Sequence, residues 1–267
     1  MQEVIIHSFE QLQQEVFQGV WDGKVRRYRA NRVYRGVADK EWGFLPSLNR
    51  VCKHDISLEK HILRSFKKYG FTDLQQIPSF WQMLAMAQQH GLPTRLLDWT
   101  YSPYVAAHFV TEDIEKYDKD GALWCASIEE INQNLPCPLR KMLEDEGGSI
   151  FSVDMLDSVG NGFESLADLC AAPFSLFFEP ASTVDRIANQ YALFSLTSDP
   201  NILINEMPSV EDSLKKIIIP HEVKLEIRDK LDYINISERM IFPGLDGICK
   251  WITRRYADLG KYNPEKR

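Results

Sequence analysis

The stretch "QQHGLPTRLLDWTYSPYVAAHFV", Gln88 to Val110, sets the reading of the whole chain. It opens as the end of a helix that begins near Ser79, and Gly91-Leu92-Pro93 breaks that helix. Thr94 to Thr100 then reads as a strand or extended segment. Ser102 followed by Pro103 is a helix start. The Ser side chain can accept a first-turn amide, and Pro at the first helical position gives up a donor that would be unpaired anyway. Val105, Ala106, Phe109 and Val110 supply the apolar face of that helix. His90, Arg95, Asp98, Trp99, Thr100 and Ser102 therefore crowd onto one helix–strand–helix turn. Such density reads as the wall of a pocket. A plainer reading has His90 capping its helix, Asp98 bonding turn amides and Arg95 in solvent. Arg95 and Asp98 are three residues apart, so in a regular strand they point to opposite faces.

Outward from this turn, Ser8 to Gln18 carries Phe9, Leu12, Val16 and Phe17 at helical spacing behind a Ser cap. Residues 1–30 read as an N-terminal helical segment. Arg32 to Val37, RVYRGV, is β-branched and aromatic and reads as a strand. Leu58 to Tyr69 and Ser79 to Gln89 read as helices. Ala122 to Ile128, Ser175 to Phe178, Asn189 to Leu196 and Lys216 to Ile219 read as strands. Glu222 to Tyr233 and Leu245 to Tyr256 read as helices. Strands in the middle and helices at both ends imply an α+β domain rather than a βαβ alternation. Residues 132–168 give no clear pattern and read as an insertion near the site.

Composition limits the function classes. The 267 residues, 44% hydrophobic, suffice for one large domain with a sizeable core. The net charge of -7 gives no broad basic footprint of the kind nonspecific nucleic-acid binders carry. It leaves room for a local basic cleft, because net charge says nothing about patches. The N-terminus does not read as a signal peptide, and no apolar run is long enough to span a membrane. Cys52, Cys125, Cys137, Cys170 and Cys249 are dispersed without a CxxC pair, which suggests reduced thiols in a cytoplasmic protein and no zinc site.

Two further constellations stand out. Tyr34-Arg35-Gly36 puts a charge inside an apolar strand. Arg35 can fork onto a phosphate or carboxylate, and Gly36 can let a ligand approach the backbone. The alternative is a solvent-facing Arg on an edge strand. Arg186 and Gln190, in DRIANQYALF, place two polar side chains at the start of a strand, where a Gln needs a specific partner. The chain has no GxSxG, HExxH, P-loop or GxGxxG signature.

YRG at Tyr34 to Gly36, W-x-x-x-P-S at Trp42 to Ser47 and QHGLPTRLLDWT at Gln89 to Thr100 with Ser102-Pro103 together resemble the FRG domain family. That family is named for Phe-Arg-Gly, and Tyr34 stands here in place of the Phe. Arg186, Gln190, Phe194 and FPGLDG at Phe242 to Gly247 extend the resemblance, which runs from about Val33 to Trp251. A weaker resemblance is to ADP-ribosyltransferases of the Arg-Ser-Glu type. VYRGV is similar to their Arg strand, DWT with SPYVA to their Ser-Thr-Ser strand and following helix, and NQYALF to the strand that carries their Glu. This resemblance implies a central split β-sheet flanked by helices.

It also implies NAD as substrate, with Tyr34, Arg35, Gly36, His90, Arg95, Asp98, Trp99, Thr100, Ser102 and Arg186 lining the dinucleotide site. Arg35, Asp98 and Gln190 would be the catalytic residues. Gln190 stands where that family has Glu, and Asp98 or Glu179 would have to supply the carboxylate. The implied activity cleaves the nicotinamide–ribose bond and passes ADP-ribose to water or to a protein or nucleic-acid acceptor, with no metal and no membrane. A bacterial toxin or phage defence role would suit such an activity. Two other readings stay open: a binding module for NAD or ADP-ribose without turnover, and a hydrolase or nuclease using Asp98 and His90.

Overall fold

The computed structural model describes residues 1–23, 25–29, 31–53, 55–75, 77, 79–181, 185–259 and 262. Its strands are β1 (Gln2–Ile5), β2 (Trp21–Asp22), β3 (Arg27–Tyr28), β4 (Arg32–Val37), β5 (Leu97–Thr100), β6 (Gly121–Ser127), β7 (Phe151–Ser152), β8 (Ser175–Glu179), β9 (Ala192–Thr197) and β10 (Leu214–Ile219). Eight of them form one mixed sheet in the order β1-β10-β6-β4-β5-β9-β8-β7, while β2 and β3 form a separate hairpin. The outer pairs β1–β10 and β7–β8 are parallel and the inner ones antiparallel. The expected α+β class holds, with helices packed on a large mixed sheet.

Two-residue periodicity sorts the core. In β6, Leu123 and Cys125 join Tyr34, Ile217 and the Pro103–Thr111 helix on one face. Ala122, Trp124 and Ala126 join Val33, Phe44, Trp99 and Leu193 on the other. This strand is buried on both faces, which is why its sequence, GALWCAS, is almost wholly apolar.

Several boundaries differ from expectation. Residues 1–30 are not simply helical. The Phe9–Phe17 helix forms behind its Ser8 cap, but β1 precedes it and the β2–β3 hairpin follows it. QEVI carries too little apolar pattern to announce a strand, and backbone pairing to β10 is what makes it one. Residues 132–168, which gave no clear pattern, contribute to the core. Leu135, Leu139, Leu143, Phe151, Leu156 and Phe163 pack with Trp81 and Phe178. Asn189 and Gln190 do not begin a strand. They end the Asp185–Gln190 helix, Tyr191 turns the chain with φ 47°, and β9 starts at Ala192.

The five cysteines are free thiols. Among the described residues no helix is long and apolar enough to cross a membrane.

Gly36 permits one of the closest backbone approaches in the fold. A Cβ there would lie 1.9 Å from the carbonyl oxygen of Ala106 and 2.8 Å from its carbon. The Pro103–Thr111 helix therefore sits directly on the β4 backbone. The glycine is what lets this helix lie so close. Gly36→Ala must push backbone against backbone, and a loss of about 3 kcal/mol or more is expected, at the upper end of overpacking costs. Urea denaturation with an unchanged m-value would read it, and near-native stability would contradict the packing described.

Lys224 lies fully buried on the His221–Tyr233 helix. Its Nζ donates to the carbonyls of Ala38 at 2.6 Å and Lys116 at 2.8 Å, two acceptors that match the two N–H groups of a neutral amine. Burial pushes its pKa down to about 8, against the pull of Asp39 and Asp120. Between that value and the unfolded value near 10.4, the folded chain holds fewer protons than the unfolded one, so this group adds stability as pH rises. The stability of the wild type relative to Lys224→Met should therefore increase from about pH 7 to about pH 10 in paired urea titrations. A flat difference would place the Lys224 pKa outside that window.

Candidate functional site

Two adjacent strands part at the centre of the sheet. β4 and β5 share one register pair among the described residues, Tyr34 with Thr100. In a continued antiparallel ladder Gly36 would face Asp98. Instead the Arg35 side chain fills that place, its Nη1 donating to the Asp98 carbonyl at 2.8 Å. The wedge between the strands is a cavity of about 230 Å³. Its walls come from β4, β5, the Phe80–Gln89 helix, the Asp185–Gln190 helix, Ala192 and Phe109.

Arg35 is half-buried and its Nε has no partner. Burial lowers its pKa, and the nearby Asp98 carboxylate opposes that shift. Arg186 enters from the other wall. Its Nη1 donates to the Gln89 carbonyl at 3.0 Å, its guanidinium lies 5.0 Å from the Phe242 ring centre, and its Nε also lacks a partner. Gln89 contributes a third buried atom without a partner, Oε1. Among the described residues neither Arg35 nor Arg186 forms an ion pair. Two half-buried cations on one small cavity are costly unless an anion joins them.

Asp98 stands at the exposed rim. Its Oδ2 accepts from Gln88 Nε2 at 2.9 Å, and Gln88 Oε1 accepts from the Thr94 hydroxyl at 2.6 Å. Among the described residues its Oδ1 makes no hydrogen bond. Thr100 is committed to the frame: its hydroxyl donates to the Gln190 carbonyl at 2.6 Å and accepts from the Ser102 amide at 3.0 Å. The Gln190 amide donates to the Ile241 carbonyl at 3.2 Å, while neighbouring Asn189 donates to Met240 at 2.8 Å. Gln190 thus borders the cavity while its amide donates to the end of the Glu238–Ile241 helix.

Of the residues named from the sequence, Tyr34, Arg35, Gly36, Asp98, Trp99, Thr100, Arg186 and Gln190 line the cavity, while His90, Arg95 and Ser102 do not. His90 is an exposed helix C-cap ahead of Gly91, whose φ is 82°. Ser102 accepts from the Val105 amide at 3.3 Å and so caps its helix. The Trp99 ring lies in the core. Its Nε1 donates to Ser195 Oγ at 2.8 Å, and it stacks on Phe44 with centroids 5.8 Å apart. The Tyr34 ring belongs to the core under the Pro103–Thr111 helix. No residue of the 132–168 segment borders the cavity. Glu179 accepts from the Tyr101 hydroxyl outside it. Gln88, Gln89 and Phe109 line the cavity but went unread. Gln88 and Gln89 looked like an ordinary helix end, although Thr94 and Asp98 at the right spacing were the available signal.

Arg95 has a different task. Its Nε donates to Glu59 Oε2 at 2.8 Å, its Nη2 reaches the same oxygen, and its amide donates to Oε1 at 3.3 Å. Its guanidinium lies 3.5 Å from the Phe163 ring centre, and Glu59 is 2% exposed. This pair ties the Leu58–Tyr69 helix to the start of β5. Glu59→Gln should cost about 3–5 kcal/mol, because it strands a buried cation. Replacing both partners, Glu59→Leu with Arg95→Met, should recover most of that loss. Chemical denaturation of the two variants gives the comparison, and equal stabilities would contradict the ion-pair assignment.

Asp120, His221 and Glu222 bring three ligand atoms within 4.8 Å of one another. Asp120 is already engaged there, by Lys40 at 3.0 Å and by the His221 amide at 3.0 Å. None of the three borders the cavity.

No curated protein and no solved structure matches the chain. Arg186 and Gln190 lie outside a family match that takes in β4, the Phe80–Gln89 helix, β5 and the Pro103–Thr111 helix. Residues 30–119 match the FRG domain, and the Arg35 strand and the turn around Asp98 lie within the matched residues.

Proposed function

We propose that the wedge between β4 and β5 binds the phosphate-bearing part of NAD or ADP-ribose, with Arg35 and Arg186 holding it from opposite walls. The observation that carries this reading is the pair of guanidiniums on one cavity, neither meeting a carboxylate. Guanidinium forks onto phosphate with strong, charge-assisted bonds. The volume, about 230 Å³, is below the roughly 300–1,000 Å³ that encloses a whole drug-sized ligand. A diphosphate or one ribose phosphate would sit inside, and the rest of the dinucleotide would lie along the rim.

Neighbouring strands β4, β5 and β9 bring Arg35, Asp98 with Thr100, and the Gln190 region to one cavity. This arrangement supports the resemblance to ADP-ribosyltransferases. Cleavage of NAD needs a group that steadies positive charge on the ribose. With Gln190 tied to Ile241 and Thr100 to Gln190, the carboxylate left for that role is Asp98, through its Oδ1. Water or a macromolecule would then take the ADP-ribose. The same facts favour a second reading, binding without turnover: among the described residues no Glu lines the cavity, and the residue in its place donates its amide elsewhere.

Thermal denaturation with NAD and with ADP-ribose tests the binding. At about a hundredfold excess over Kd, a rise of about 5–10 °C is expected. Arg35→Ala and Arg186→Ala should each weaken binding by roughly 10–100-fold. Nicotinamide release then separates the two readings. Release by the wild type that Asp98→Asn abolishes establishes turnover, and stabilisation without release establishes a binding module. Absence of both removes the nucleotide reading.

A further inference from the structure

Residues 21–32, WDGKVRRYRANR, carry five basic residues against one acid, in a chain of net charge -7. Lys24 lies outside the described residues, and the other four bases are Arg26, Arg27, Arg29 and Arg32. Arg32 begins β4, while Trp21–Asp22 and Arg27–Tyr28 pair as the β2–β3 hairpin, which stands apart from the main sheet. Its turn is tied by Asp22, whose Oδ1 accepts from the Val25 amide at 3.2 Å. Trp21 and Tyr28 face each other across the hairpin, ring centroids 5.0 Å apart. A cross-strand aromatic pair usually earns its place by covering a core face. Here the two residues are 54% and 73% exposed.

A cleft of about 900 Å³ opens beside the pair, lined by Trp21, Arg29, Arg32 and Arg140. Among the described residues Arg26, Arg27, Arg29 and Arg140 form no ion pair and no side-chain hydrogen bond. Arg32 donates to the Gln18 carbonyl at 2.7 Å. The acids of the cleft are partly engaged: Asp22 by the turn, and Glu129 by the Asn31 amide at 2.7 Å. Glu144 is the third, and a lone carboxylate can accept from the exocyclic amine of a base.

We propose that the β2–β3 hairpin and this cleft bind single-stranded nucleic acid. The arginines meet phosphates, and Trp21 and Tyr28 offer platforms for unstacked bases. A duplex keeps its bases stacked and would use the arginines alone. An acidic peptide would likewise leave both rings idle. The surface shares no lining residue with the wedge cavity, so its test is independent of the nucleotide reading.

The experiment is fluorescence anisotropy of a labelled oligothymidylate with the full chain across a salt series. Binding should weaken with salt, with a log–log slope of about -2 to -3, as expected for three or four neutralised phosphates on a single strand. Arg26→Glu with Arg27→Glu should abolish it, whereas the same reversal at exposed Lys67 and Lys68 should leave it intact. Tyr28→Ala should weaken binding about tenfold through lost stacking. These side chains are exposed, and unchanged melting temperatures would confirm that the variants fold. No binding at low salt would overturn the proposal, and so would indifference to the Arg26/Arg27 reversal. Labelled polyglutamate bound as tightly as the strand, with Trp21→Ala and Tyr28→Ala both silent, would assign the surface to an acidic protein and overturn it as well.

Discussion

Where β4 leaves β5, the guanidinium of Arg35 takes over from the backbone. It bonds the Asp98 carbonyl that a longer ladder would place opposite Gly36. The sheet stays continuous through one register pair and one side chain, and the space between the strands becomes a cavity. The cation that bridges the gap therefore also lines it. Gly36 completes the constraint, because the Pro103–Thr111 helix lies against the β4 backbone and holds one side of the wedge rigid.

The opposite side is held from far along the chain. Asn189 and Gln190 reach the carbonyls of Met240 and Ile241, and Arg186 lies over Phe242. The Glu238–Ile241 helix is fixed in turn by buried charge. Arg254 donates to both oxygens of Asp232 at 2.8 Å and to Glu238 Oε2 at 2.9 Å. Arg228 donates to Asp232 and to His108 of the Pro103–Thr111 helix. Burial and the adjacent Arg228 hold His108 well below the usual histidine range, so it accepts there as a neutral ring. Both walls of the wedge thus meet in one network, and the FPGLDG stretch belongs to the support of the site rather than to its lining.

The crowded turn at 88–103 divides into residues that face the cavity and residues that build its wall. Asp98 faces out. Arg95, Trp99, Thr100 and Ser102 hold the helix of Glu59, the core, the Asp185–Gln190 helix and the Pro103–Thr111 helix respectively. A pocket wall that must keep a charged rim in place needs about this many anchors, since each buried polar atom must find a partner. Most of the residues that make this turn dense hold the fold, and Asp98 is left at the rim of the cavity.

The sequence alone was sufficient for the α+β class, the Ser8 and Ser102 caps, the strands around Arg35 and Asp98, and the stretch that the FRG domain match covers. Caps, breakers and two-residue alternation act over a few neighbours, so they can be read locally. Four things were left to the tertiary structure: the partner of Arg95, the helix that ends at Gln190, the edge pairing of β1, and the meeting of Arg35 with Arg186 across one cavity. In each case the deciding partner lies tens to hundreds of residues away, at Glu59, Met240 with Ile241, Lys215 to Ile218, and Gln89 with Phe242. Local propensity cannot choose among such partners. Burial chooses, because a polar group removed from water must be matched by whatever the fold brings to it.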